Sequence, residues 1–361
     1  MYCLVIVILS VFLLQGCKKT GSSGFRKIFE CIMEEAGDFY FDFFASYEIY
    51  GKNTYKTADT EIKDVNVPVA DINETLPGVV MREDETQGAG KENVSNENII
   101  DAAASVFSKD QLLDYNFVMN NFYVVPSVTE LTSDMLNLEE IATMDMSIKK
   151  DDSVPQILIF HTHSHETFAD SDQNGKSIVD AGTYLAELLT EKYGYNVIHL
   201  TESFDVVDGV LDRSEAYTYA NKRLDEILAE NPSIQVVIDL HRDGVEEDRH
   251  LVTEVNGKPT AKIMLFNGIS YTKELGNIEY LYNPYLKENL AMTYQMYVLG
   301  KVTYPDLFRC IYISGYRYCL YHKPHSMLIE AGAQTNTFEE VYNAMEPLAD
   351  LLDMQLKGAA E

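Results

Sequence analysis

The second half of the chain exchanges short β-branched runs with segments of helical period, and this limits the fold more than any other feature. Residues 156–160 (Gln-Ile-Leu-Ile-Phe) form an apolar strand run, and 176–193 read as a helix stopped by Gly194. Residues 196–200 are a strand. Residues 213–230 are a helix with Ala216, Ala220, Leu224, Ile227 and Leu228 on one side, ended by Asn231-Pro232. Strands follow at 234–240 and 261–266, a helix at 283–299, and strands at 311–320 and 326–329. Thr337-Phe338-Glu339-Glu340 has the form of a capping box opening a last helix, with a kink expected near Pro347. Such alternation implies an α/β domain, a mostly parallel twisted sheet with helices on both faces. In that architecture the chemistry sits beyond the carboxyl ends of the strands.

The preceding sequence divides differently. Residues 2–14 are apolar apart from Ser10, shorter than the span of about 20 residues that crosses a membrane, and suit a signal segment. Leu14-Gln15-Gly16-Cys17 is lipobox-like, so residues 1–17 read as a signal or membrane anchor. Residues 18–50 are a short helical and aromatic-rich segment. Residues 51–114 are acidic, with few aromatics, and read as a linker or stalk; the catalytic domain is expected over 115–361. The chain has 28 basic and 57 acidic residues, a net charge of −29, which excludes general binding to nucleic-acid phosphates. Export with membrane attachment is the expected location. None of the five cysteines forms a Cys-x-x-Cys pair, and Cys310 and Cys319 read as two separate thiols.

Three strand ends carry reactive residues. The first leads into His161-Thr162-His163-Ser164-His165-Glu166, the second into His241-Arg242-Asp243, and the third into Glu330-Ala331-Gly332. A hydrolytic zinc site needs three His or carboxylate ligands and one open position. His163-x-x-Glu166 offers two on one turn, and His241 completes the set, as in zinc carboxypeptidases. Glu330 would be the general base, carrying a proton from the attacking water to the leaving amine. His-x-His on a strand would point both rings the same way, so spacing leaves His161 as an alternative ligand or a supporting residue, with His163 preferred. Asp239 shares a strand face with His241, so it either orients that ligand or bonds a neighbouring loop. Arg242 is either a clamp for a substrate carboxylate or a structural partner of Asp243 or a glutamate. With His163 as the ligand, His165 points the other way and reads as a pocket or solvent residue, and His325 begins the strand that delivers Glu330.

The segment from Gln156 to Ser171 resembles the signature of stage II sporulation protein P. Asn289-Leu290-Ala291-Met292-Thr293-Tyr294-Gln295 and Met327-Leu328-Ile329-Glu330-Ala331-Gly332 add to the likeness, which runs from about Asn121 to Asp353. The resemblance implies a zinc-dependent peptidoglycan hydrolase, an N-acetylmuramoyl-L-alanine amidase and crosslink endopeptidase acting at the sporulation septum during engulfment. It implies partnership with stage II sporulation proteins D and M. By position it places the metal on His163, Glu166 and His241 and the base on Glu330. Cys319 stands where the resemblance leads one to expect a polar residue, which draws attention to the neighbouring Tyr318 as either a support for the site or a substrate contact. Two readings compete with the amidase: a hydrolase of other amides, and a non-catalytic wall lipoprotein that keeps the fold.

Overall fold

The computed structural model describes residues 99–207, 210–213 and 215–357. The expected signal or anchor (1–17), the 18–50 segment and the stalk up to residue 98 lie outside the described residues. Among the described residues, no helix is long and apolar enough to cross a membrane.

Seven strands make the main sheet: β1 Tyr123–Val124, β2 Ile157–Phe160, β3 Val197–His199, β4 Val236–Asp243, β5 Ile263–Gly268, β6 Phe308–Ser314 and β7 His325–Ala333. Their spatial order is β1-β6-β5-β7-β4-β2-β3. Every neighbouring pair is parallel except β5 with β7, which run antiparallel. The sheet is therefore mostly parallel, as the alternating pattern predicts, but consists of two parallel blocks running in opposite directions.

Four long helices flank it: α1 Ile178–Glu187, α2 Ala216–Glu230, α3 Leu286–Thr303 and α4 Phe338–Leu356. Alternation along the strands sends Ile157, Ile159, Ile238, Leu240 and Ile329 into one core, with α1, α3 and α4. Leu158, Phe160, Val237, Phe266 and Leu328 enter a second, smaller core under α2. Every residue of α3 from Asn289 to Gly300 is buried, the pattern of a helix enclosed on all sides. Thr337 caps α4 through the expected box with Glu340, and the helix continues through Pro347.

Three boundaries differ from the sequence reading. The folded region begins before residue 115: Ile99–Ala102 and Lys109–Leu113 are helices, and Ile100, Ala103, Phe107 and Leu112 are buried in the larger core. Their brevity and acidic flanks make them look like linker. The strand expected over 311–320 ends at Ser314, because the chain folds back across β5. The carbonyl of Tyr316 sits where a side chain on Gly268 would be, and Tyr318 takes a left-handed φ of 54° to complete the turn. Finally, β4 and β7 run further than their apolar stretches, so His241 and Glu330 lie within strands.

Candidate metal centre

The centre sits at the carboxyl ends of β2, β4 and β7, on the face of the smaller core. The β4–β2 register aligns Asp239 with Phe160, and the β7–β4 register aligns Glu330 with His241. Residues aligned in a ladder share a face, so Asp239, His241 and Glu330 project together just beyond the apolar side chains of the second core.

β2 stops at Phe160, and the next residues turn. Asp239 fixes that turn, its two carboxylate oxygens accepting hydrogen bonds from the Thr162 backbone N–H (2.9 Å) and Thr162 Oγ1 (2.7 Å). The turn drives the two candidate histidines apart. His161 lies on the larger-core side, where its Nδ1 meets the Leu240 carbonyl at 2.7 Å and its Nε2 meets His199 Nε2 at 2.9 Å. His163 emerges on the other side and meets the ring of His241 edge to face, centroids 5.2 Å apart. The alternation rule for His-x-His fails because these residues are no longer in a strand.

His163, Glu166 and His241 each offer a ligand atom, all within 4.8 Å of one another, and all three are buried. Glu166 Oε1 is 3.8 Å from His163 Nδ1, and Glu166 Oε2 is 3.5 Å from His241 Nδ1. Two ligands about 2.1 Å from zinc in a tetrahedron stand about 3.4 Å apart, so the set fits such an ion. Asp239 Oδ1 lies 2.6 Å from His241 Nε2, the far side of the ring, so Asp239 both pins the turn and orients His241. Glu166 is itself held by the Arg242 backbone N–H, which donates to Oε2 at 2.9 Å.

The electrostatics match a cation site. Burial opposes a charge on His163 and lowers its pKa to about 3, with His241 adding to the effect. Burial also opposes the charge on His241, but Asp239 and Glu166 outweigh it and raise its pKa well above the ordinary value. Burial works to raise Glu166, yet His241, Arg242 and His163 bring its pKa down, leaving a carboxylate among imidazoles.

Glu330 is 3% exposed, and its Oε2 has no hydrogen-bond partner among the described residues. Burial first, then the nearby carboxylates Asp243 and Glu166, push its pKa well above 4.5, partly opposed by His241. A buried carboxyl poised to exchange a proton beside a metal set is suited to general acid–base work.

The other candidates separate from this group. Arg242 uses its guanidinium on backbone carbonyls, Nε to Thr167 at 3.0 Å and Nη1 to Asp243 at 3.3 Å, which makes it a brace for the loop. His325 pairs with Val236 at the opposite end of β7, five residues and about 16 Å from Glu330, so it is no part of the site. Tyr318 is buried, with its hydroxyl 3.1 Å from Ser314 Oγ and its ring against Phe266 and Tyr217; Tyr217 in turn packs on His163. It supports the wall behind the ligand and presents no surface to a substrate. Cys310 and Cys319 are both buried, free thiols.

Two contributors escape sequence reasoning. Arg213 Nη1 comes within 3.8 Å of Glu166 Oε1 from the segment ahead of α2, where no spacing marks it. Arg309, at the start of β6, pairs with Asp243 at 2.8 Å near Glu330. Its signal, a charged residue opening a buried strand, is visible only once β6 is placed beside β5.

No curated protein matches this chain. The family profile of stage II sporulation protein P matches residues 49–353, most of its length. The chain belongs to the stage II sporulation protein P family, whose work lies in sporulation engulfment and cell-wall remodelling.

Proposed function

We propose that this protein is a zinc-dependent peptidoglycan hydrolase that cleaves amide bonds, chiefly the N-acetylmuramoyl-L-alanine bond. The reading is carried by one observation: three buried ligand atoms within 4.8 Å of one another, with the unpartnered carboxyl of Glu330 on the neighbouring strand. His163, Glu166 and His241 would hold zinc, which when bound polarises the scissile carbonyl and makes an attacking water more acidic. Glu330 takes the proton from that water and delivers it to the departing amine. Asp239 keeps His241 Nδ1 aimed at the ligand set from behind. Arg213, 3.8 Å from Glu166 Oε1, adds positive charge beside the ligand set.

The same proposal places the protein outside the cell membrane and attached to it, facing the wall, with stage II sporulation proteins D and M as partners. Family membership supports the association with wall or membrane, and the two partners rest on the resemblance alone. The test is muropeptide mapping of purified sacculi treated with the zinc-loaded protein and with a chelated control. Release of free stem peptides by the loaded protein alone is expected. Equal release from both samples, or none from either, overturns the reading.

A further inference from the structure

A groove of about 440 Å³ opens beside the metal-bearing turn, at the carboxyl ends of β2 and β3. That volume lies within the usual range of small-molecule sites. Ser164, His165, Lys176, Ser177, Thr201 and Ser203 contribute to its walls. Beneath it lies Asp205, fully buried, to which the rim is tied. Asp205 Oδ1 accepts from Ser164 Oγ at 2.9 Å and Ser203 Oγ at 3.2 Å, and it meets His165 Nδ1 at 2.7 Å. Its other oxygen accepts from the His165 backbone N–H at 3.2 Å.

One buried carboxylate therefore sets the position of three groove side chains. With Nδ1 held from below and the His165 side chain half exposed, Nε2 is the edge that faces the groove. Ser164 and Ser203 give their protons to Asp205, and His165 turns Nδ1 to it, so all three offer lone pairs to the O–H and N–H groups of a ligand, while Ser177 and Thr201 add hydroxyls. The lysine is committed elsewhere, since Lys176 Nζ pairs with Asp180 at 2.7 Å. A stem peptide carries carboxylates and would look for cations, whereas the wall sets the Asp172 carboxylate beside the paired Lys176; two of the guanidiniums around the centre, Arg242 and Arg309, come from β4 and β6. A neutral ligand dense in hydroxyl and acetamido groups fits its chemistry.

We propose that the Asp205-organised groove is a saccharide subsite that holds the N-acetylated glycan strand, so that the amide to be cut extends from it across the metal toward Glu330. This rests on the hydrolase reading above and adds the direction in which substrate lies.

The test titrates histidine-labelled full-length protein with chitotetraose, a soluble N-acetylglucosamine oligomer, and separately with a peptidoglycan stem tetrapeptide. The His165 ring resonances should shift saturably with chitotetraose, equally in zinc-loaded and chelated protein, and stay unmoved by the peptide. Thr201→Trp, an exposed position on the rim, should weaken chitotetraose binding at least tenfold and raise KM on sacculi with little change in kcat. His165 resonances that ignore chitotetraose, or that follow the peptide instead, overturn the subsite. So does an unchanged KM in a folded Thr201→Trp protein that still cleaves sacculi, and in that case the hydrolase reading stands. If wild-type protein leaves sacculi intact, the hydrolase reading falls, while the titration alone still decides whether the groove takes a saccharide.

Discussion

Glu330 and His241 are direct partners in the parallel ladder between β7 and β4, so the proposed proton carrier and a proposed metal ligand are held by the same pair of strands. A slip of one strand against the other would part the two, so the ladder register sets their spacing. Replacing Glu330 should therefore isolate its chemistry from metal binding. Glu330→Gln keeps the shape and should lower hydrolysis of sacculi by about 10²–10⁴-fold. Zinc content by elemental analysis should remain at the wild-type level. Full activity in this variant would remove Glu330 from the mechanism.

Asp239 and His241 should separate in metal affinity. His241→Ala deletes a ligand and should abolish stoichiometric zinc. Asp239→Asn leaves the ligand but weakens the contact behind it, and should cost about 10–100-fold in affinity. Competition with a chromogenic chelator measures both. An Asp239→Asn protein with wild-type affinity would make that carboxylate only an anchor for Thr162.

Gly182, on α1, is packed against the histidine pair on the far side of the sheet. A side chain there would meet His161 Nε2 at 2.5 Å and His199 Nε2 at 2.9 Å. Gly182→Ala should overpack that site and cost about 1–3 kcal/mol. For a domain of this size that is about 2–4 °C of Tm per kcal/mol, read by thermal melting.

Glu340 should make stability depend on pH at the acid end. Burial alone would raise its pKa, but hydrogen bonds with His250 (2.8 Å), Asn336 (2.8 Å) and the Thr337 N–H (3.0 Å) hold it below 4.5. A lowered folded-state pKa means the contribution is complete above the ordinary value of 4.5 and fades as pH falls through the folded value. Glu340→Gln should accordingly be less stable than wild type in urea at pH 7, with the gap closing toward pH 3. A gap that stays constant would assign the loss to capping geometry rather than charge.

A fragment beginning at Tyr115 should be much less stable than one beginning at residue 99. It lacks the buried side chains of Ile100, Phe107 and Leu112, and Phe107 packs edge to face on Phe117 and Phe122. It also loses the Leu112 carbonyl, which accepts a hydrogen bond from the buried Tyr294 hydroxyl at 2.7 Å. Each large apolar side chain contributes about 1.5–3 kcal/mol by burial. Comparing urea midpoints of the two fragments checks the point.

The positions of β2, β3, α1, α2 and α4 are legible in the sequence because each has a strong period and a stop or cap in place. The candidate ligands are legible because His163-x-x-Glu166 and His241 follow short apolar runs whose length and β-branched content suit buried strands. Where a buried strand carries a charged residue for the site's sake, as at His241 and Glu330, the polar residue imitates a strand end and the boundary is placed too early. His161 against His163 turns on where β2 stops, which Asp239 decides through Thr162 from another strand. Arg213 and Arg309 come from segments with no local mark at all, since their use depends on strand order and loop path.

The reversal between β5 and β7 leaves the metal rim open to modification from two separate stretches of the gene. Strands on the β7 side reach it with their last residues, while β5 and β6 reach it with their first, Arg309 among them. The short connection from α3 into β6 therefore opens on the same rim, two strands from Glu330. Changes in length there offer a way to reshape what the site accepts while leaving His163, Glu166 and His241 in place.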